Sequence, residues 1–144
     1  MLGSISDAED AASLFLQEGE TNPMNVALWI AQGLLALGFL WSGGIKVLSY
    51  DRYAVIVKKF GTVAAGRELT HFIGIAESAG AIGIVVPMAV NVAPALTPLA
   101  AVGLAMIMLL AIGYHIRAHE ATLAQSILFL LAAFVALGRF WYGV

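Results

Sequence analysis

Glu77 is the one formal charge in the apolar run from Phe72 to Val92, and a carboxylate in such a setting must be answered by something. Near the centre of a bilayer a charged side chain costs roughly 2.5–3.5 kcal/mol even on the mildest scale, so a cation, a proton or a hydrogen-bond donor has to meet it. Glu77 stands six residues beyond His71, about 9 Å along a helix, which is too deep for water to serve. Two basic side chains are within reach of the argument: Lys46, closing the preceding apolar run, and His115, closing the following one. With Lys46 as partner Glu77 stays ionised; with His115 alone it shares a proton in a neutral hydrogen-bonded pair. Spacing leaves both open. If successive runs alternate in direction, Lys46, Glu77, His115 and Gln125 lie toward one end, while Gln32 and Arg139 lie toward the other.

Such a group can do acid–base chemistry, with Glu77 and His115 as the candidate catalytic acid and base on a lipophilic small molecule. The competing reading is structural: an interhelical Lys46–Glu77 pair fixes helix register, and His115 is an interfacial anchor. His115 and His119 stand at i, i+4 with Glu120 adjacent, a spacing that permits metal binding, but a third fixed ligand is lacking and no metal site is expected. No nucleophile elbow, phosphate-binding loop, dinucleotide fingerprint or H-E-x-x-H motif occurs.

The elements that carry these residues follow from composition. Of 144 residues 61% are hydrophobic and 11% charged, with a mean hydropathy of +0.93, too little polar surface for a soluble monomer of this size. A net charge of −2 offers no basic field for nucleic acid, and zero Cys excludes disulfides, thiolate metal sites and iron–sulfur ligation. Redox chemistry here requires a bound cofactor.

Four apolar runs predict membrane spans at about 24–48, 71–92, 98–117 and 121–140. Asn22-Pro23 and Thr97-Pro98 read as cap-and-proline starts, Thr70 as the cap of the second span, and Pro87 as a bend within it. Residues 1–22 form an acidic leader, in which Ser6 and Glu9 at capping-box spacing predict a short amphipathic helix. Between the first two spans Tyr53, Val57, Phe60 and Ala64 repeat at helical spacing, predicting an interfacial helix. Three seams face inward: Gln32, Leu35, Phe39, Ser42 and Lys46; Ala101, Leu104, Met108, Ala111 and His115; and Gln125, Phe129, Ala132, Ala136 and Arg139. Gly74, Ala76, Ser78, Ala79, Gly80, Ala81 and Gly83 let the second span approach its neighbours closely. The expected fold is all-α, one membrane domain over 1–144 built as a transmembrane four-helix bundle with these two short accessory helices.

Lys46, Arg52, Lys58, Lys59, Arg67 and Arg117 flank one side of the spans and Arg139 alone the other, which places the loops 49–70 and 118–122 in the cytoplasm and both termini outside.

The segments Phe39-Leu40-Trp41-Ser42-Gly43-Gly44-Ile45-Lys46, Gly74 to Gly83 with Glu77 and then Pro87, and Leu96-Thr97-Pro98-Leu99-Ala100-Ala101 leading to His115 and Arg117, followed by a fourth helix ending at Arg139, resemble DoxX-like membrane proteins in order and spacing. The resemblance covers about Val26 to Phe140 and leaves out the leader. It implies a four-helix protein integral to a bacterial cytoplasmic membrane, in a family that includes a small subunit of a thiosulfate:quinone oxidoreductase. A quinone is the cofactor this implies, bound among Lys46, Glu77, His115 and Gln125, with a lysine or protonated histidine donating to its carbonyl and Glu77 relaying a proton. The partners it implies are the lipid bilayer, a quinone or other lipophilic small molecule, a soluble or membrane redox protein, and a second copy of the chain. A membrane enzyme doing acid–base chemistry and a non-catalytic anchor or assembly subunit are the alternatives.

Overall fold

The computed structural model describes residues 22–61 and 64–142, and among these it contains five helices and no strand. They are α1 (Pro23–Leu48), α2 (Tyr50–Lys59), α3 (Arg67–Ala89), α4 (Leu96–Arg117) and α5 (Leu123–Trp141). The amphipathic helix expected in the leader falls on 1–21, outside the described residues.

The four long helices stand round a square, α1 against α3, α3 against α4, α4 against α5 and α5 against α1. Their register is antiparallel throughout. Gly43 meets Gly74 while Gln32, eleven residues earlier on α1, bonds Ile84; Gly80 and Gly83 of α3 meet Leu104 and Ala100 of α4; and Gly38 and Gly138 mark the α1–α5 seam at Leu128 and Leu28. The short connections 90–95 and 118–122 favour this up-and-down order, and α2 occupies the longer connection between α1 and α3.

The inward seams carry the core. Leu35, Phe39, Ala81, Ile84, Ala101, Leu104, Met108, Ala132, Val135 and Ala136 form one buried apolar cluster. Outside it the polarity is inverted relative to a soluble protein: Leu37, Leu110 and Phe72 are 71%, 73% and 71% exposed, and only 22–33% of each apolar span is buried within the bundle. An apolar girdle of that extent is stable only against hydrocarbon, and all four helices are long enough to cross it, so the protein is integral to a membrane.

Helix ends follow local chemistry, with three departures from expectation. Asn22 caps α1 as expected, its Oδ1 accepting from Met24 N–H at 3.0 Å. Thr70 does not cap: α3 begins a turn earlier, with Gly66 at the cap, and the Thr70 hydroxyl donates to the Ala65 carbonyl. Thr97 likewise lies inside α4, where its hydroxyl is buried without a partner among the described residues. The second span stops at Ala89 rather than 92, because Asn91 takes a left-handed φ of 53°. Asn91 N–H donates to the Met88 carbonyl and Val92 N–H to that of Pro87, the pair of bonds that closes a helix through a left-handed residue.

α2 folds back over the entrance to α3. Tyr50 Oη donates to the Ala65 carbonyl at 2.8 Å, its ring lies edge-on to His71, and Arg67 stacks on it while pairing with Asp51. Of its expected apolar stripe, Tyr53 and Val57 are half-buried, whereas Phe60 is exposed.

Candidate functional site

The polar residues gather in three places, two at the α2 end of the bundle and one at the opposite end. The first is the ion pair. Lys46 Nζ donates to Oε1 and Oε2 of Glu77 at 2.6 and 2.7 Å, and the Ser42 hydroxyl donates to Oε2 at 3.1 Å. The side chains of Lys46 and Glu77 are 10% and 2% exposed. Backbone contact makes this geometry. A Cβ on Gly43 would lie 2.6 Å from the Gly74 carbonyl, and one on Gly74 would lie 2.9 Å from that of Gly43. With both Cβ atoms missing, α1 and α3 touch backbone to backbone: Ser42 comes level with Glu77, and Lys46, whose Cβ lies beside Gly74, reaches along the interface with its long side chain to the same carboxylate. Of the two partners open to Glu77, Lys46 is the one the structure supplies.

His115 belongs to the second group. Its Nδ1 lies 2.6 Å from Glu120 Oε2 and its Nε2 lies 3.1 Å from Gln125 Nε2. The Gln125 amide can donate to Nε2 in the tautomer that carries the ring proton on Nδ1, and in that tautomer Nδ1–H donates to the Glu120 carboxylate. The turn after α4 creates this pair: His119 adopts a left-handed φ of 57°, and Glu120 N–H donates to the His115 carbonyl, which returns the Glu120 side chain over the last helical turn. His119 is therefore off the helix, and its i, i+4 spacing does not place it on one helical face with His115. The described residues hold no group of three His, Asp or Glu side chains fit to bind a metal.

Tyr53 links the two groups, and the sequence reading missed it as anything but an apolar stripe residue. Lys46 Nζ lies 5.6 Å from the centre of its ring. Burial first, and then the negative charges of Glu77 and Glu120 among others, push the Tyr53 phenol above its ordinary value, so the hydroxyl keeps its proton. That hydroxyl has no hydrogen-bond partner among the described residues. Of the four residues expected to form one site, Lys46 and Glu77 are joined directly, and His115 and Gln125 are joined to each other. No hydrogen bond or ion pair joins Glu77 to His115.

At the far end, Arg139 is 4% exposed. Its Nε donates to Gln32 Oε1 at 3.0 Å and its Nη1 to Asn25 Oδ1 at 2.7 Å, while Nη2 donates to Gln32 Oε1 as well. Gln32 Nε2 in turn donates to the Ile84 carbonyl, and the guanidinium stacks on Trp29 at 5.2 Å. The sequence had placed Gln32 and Arg139 at a shared depth; Asn25 it had not singled out.

Comparison with known families places residues 30–137 in a match to the DoxX-like family, which takes in the whole of α3 and α4, most of α1 and α5, and every residue of the α2-end groups. Comparisons with curated proteins and with solved structures give no match. With three quarters of its length matched and four apolar helices in the order described, the chain belongs to the DoxX-like family.

Proposed function

We propose that the protein is a small membrane subunit of a quinone-linked redox system, receiving a quinone headgroup at the α2 end of the bundle. The observation that carries this reading is the buried Lys46–Glu77 pair with the Tyr53 ring against it. A quinone carbonyl asks for hydrogen-bond donors at the edge of an apolar region, and the donors here fit: an ammonium has three N–H groups, of which Glu77 engages two, and the Tyr53 O–H is unengaged among the described residues. When bound, a quinone supplies two-electron, two-proton redox chemistry, with the electrons drawn from a redox partner. Lys46 and Tyr53 would hold and orient the carbonyl. Glu77 would take up or release a proton at Oε2, the oxygen that Ser42 also reaches, and His115, held by Gln125 and Glu120, would be a second proton-bearing group nearer the surface.

The flanking cations support an orientation with α2 and the 118–122 turn in the cytoplasm of a bacterium and both termini outside. An acid–base enzyme using Glu77 and His115 on one substrate is less favoured, because each is engaged by a different partner. The test is quinone retention. Protein extracted in mild detergent should carry quinone at near one equivalent per chain, and Tyr53→Phe and Glu77→Gln should each lower this at least tenfold. Wild-type protein free of quinone, or full retention in both folded variants, refutes the proposal; a stoichiometric soluble partner without ligand would indicate an anchor instead.

A further inference from the structure

The end of the bundle opposite Glu77 holds a cavity of about 380 Å³, lined in part by Asn25, Trp29, Met88, Asn91, Arg139 and Tyr142. That volume lies in the range of small-ligand pockets. We propose that this cavity binds an oxyanion, a phosphate or carboxylate group, with Arg139 as its counter-charge. A guanidinium is always charged and has five N–H donors. Three of those of Arg139 are spent on the amide oxygens of Gln32 and Asn25, both neutral, which leaves two N–H groups unengaged among the described residues. Among the described residues no carboxylate pairs with its positive charge.

Removing a cation from water to 4% exposure without an anion is costly, far more so than burying the amides that surround it. The contrast with Lys46, equally buried and met by a bidentate carboxylate, shows what is missing. Gln32 and Asn25 hold the guanidinium rigidly, since Gln32 is itself fixed to the Ile84 carbonyl. A positioned, desolvated arginine of this kind is suited to bidentate capture of carboxylate or phosphate. Asn91 and Tyr142 add amide and hydroxyl donors at the rim, and Leu28, Met88, Pro94 and Trp29 provide an apolar wall for whatever the anionic group is attached to. The cavity lies where α1 begins and α5 ends, so at the depth of lipid headgroups; the oxyanion is therefore either a phospholipid phosphate or a free anion.

The full chain tests this in two arms. In detergent, inorganic phosphate is titrated against chloride at equal ionic strength while thermal unfolding is followed. From nanodiscs of equimolar phosphatidylglycerol and phosphatidylcholine, the protein is released into a mass spectrometer and retained lipid is counted. Saturable stabilisation by phosphate alone identifies a free anion, and retained phosphatidylglycerol identifies the lipid. Arg139→Gln should weaken either signal at least tenfold. Because that change also disturbs the Gln32 network, Asn91→Asp is the second variant: Asp tolerates the left-handed turn, leaves every Arg139 bond intact and places a carboxylate in the cavity. It too should weaken binding at least tenfold. Failure of both arms with wild-type protein, or binding that survives Asn91→Asp, overturns the proposal.

Discussion

Replacing Glu77 with Gln strands the Lys46 ammonium in a site where its side chain is 10% exposed, and replacing Lys46 with Met strands a carboxylate that is 2% exposed. Removing one member of a buried pair costs about 3–5 kcal/mol, because the remaining charge has lost its partner without regaining water. Lys46 sits near the end of α1 and its long stem can redirect the ammonium outward, which puts Glu77→Gln at the lower figure, about 3 kcal/mol. Glu77 has no such escape, and only Ser42 would still donate to it, so Lys46→Met should cost at least as much. The double variant removes both charges and leaves an amide that Ser42 can still bond; it should cost no more than either single change. The coupling between the two sites is then about 3 kcal/mol or more. Reversible unfolding in mixed micelles of mild detergent and dodecyl sulfate, followed by far-ultraviolet circular dichroism, measures all four corners of this cycle. Single variants that each cost under about 1 kcal/mol and add independently in the double would refute the argument, since the pair would then be solvated rather than sheltered.

The close contact of α1 with α3 predicts a contrast between adjacent glycines. Gly43→Ala places a methyl 2.6 Å from the Gly74 carbonyl and should cost about 1–3 kcal/mol, whereas Gly44→Ala meets nothing within 4 Å and should be neutral or slightly stabilising; equal melting temperatures would refute the contact. Tyr53 predicts a dependence on alkaline pH. Its phenol is raised above 10.0 in the folded protein, so the native state holds this proton more tightly than the unfolded chain does. The stability it contributes is complete below pH 10 and falls as pH rises from there through the native value. Phenolate absorbance should show one tyrosine titrating late, and Tyr53→Phe should remove that component; its persistence in Tyr53→Phe would show that another residue is responsible.

Much of this architecture is written in local patterns. The stripe Gln32, Leu35, Phe39, Lys46 at steps of three and four emerges buried on α1, as do Ala101, Leu104 and Met108 on α4 and Ala132, Ala136 and Arg139 on α5, because one helical period governs both the pattern and the packing. The interfacial stripe was legible as far as Val57 and no further, since Phe60 is already past the end of α2. Helix ends were read less well. Thr70 and Thr97 have the side chains of caps, but hydrophobic packing extended their helices past them, and the stop at Ala89 rests on Asn91 adopting a left-handed turn that an apolar count through Val92 cannot register.

The candidate site divides in the same way. A lone carboxylate in an apolar run announces that it needs a partner, and sequence order with alternating direction puts Lys46, His115, Gln125 and Glu77 at one end. Which of them touch is a matter of lateral position, set by how closely each pair of helices approaches. Gly43 and Gly74 bring α1 and α3 into backbone contact and thereby choose Lys46; the reversal at His119 brings Glu120 back and gives His115 a different partner. Neither event follows from periodicity.

Residue type and spacing alone determined that this chain crosses a membrane on four helices and which face of each turns inward, because hydrocarbon imposes the same requirement on every segment independently. Tertiary structure alone decided how the buried charges are matched: one cation against a carboxylate, the other, Arg139, against neutral amides beside an open cavity. Electrostatic pairing depends on separations of a few ångströms between different helices, and no single helix contains that information.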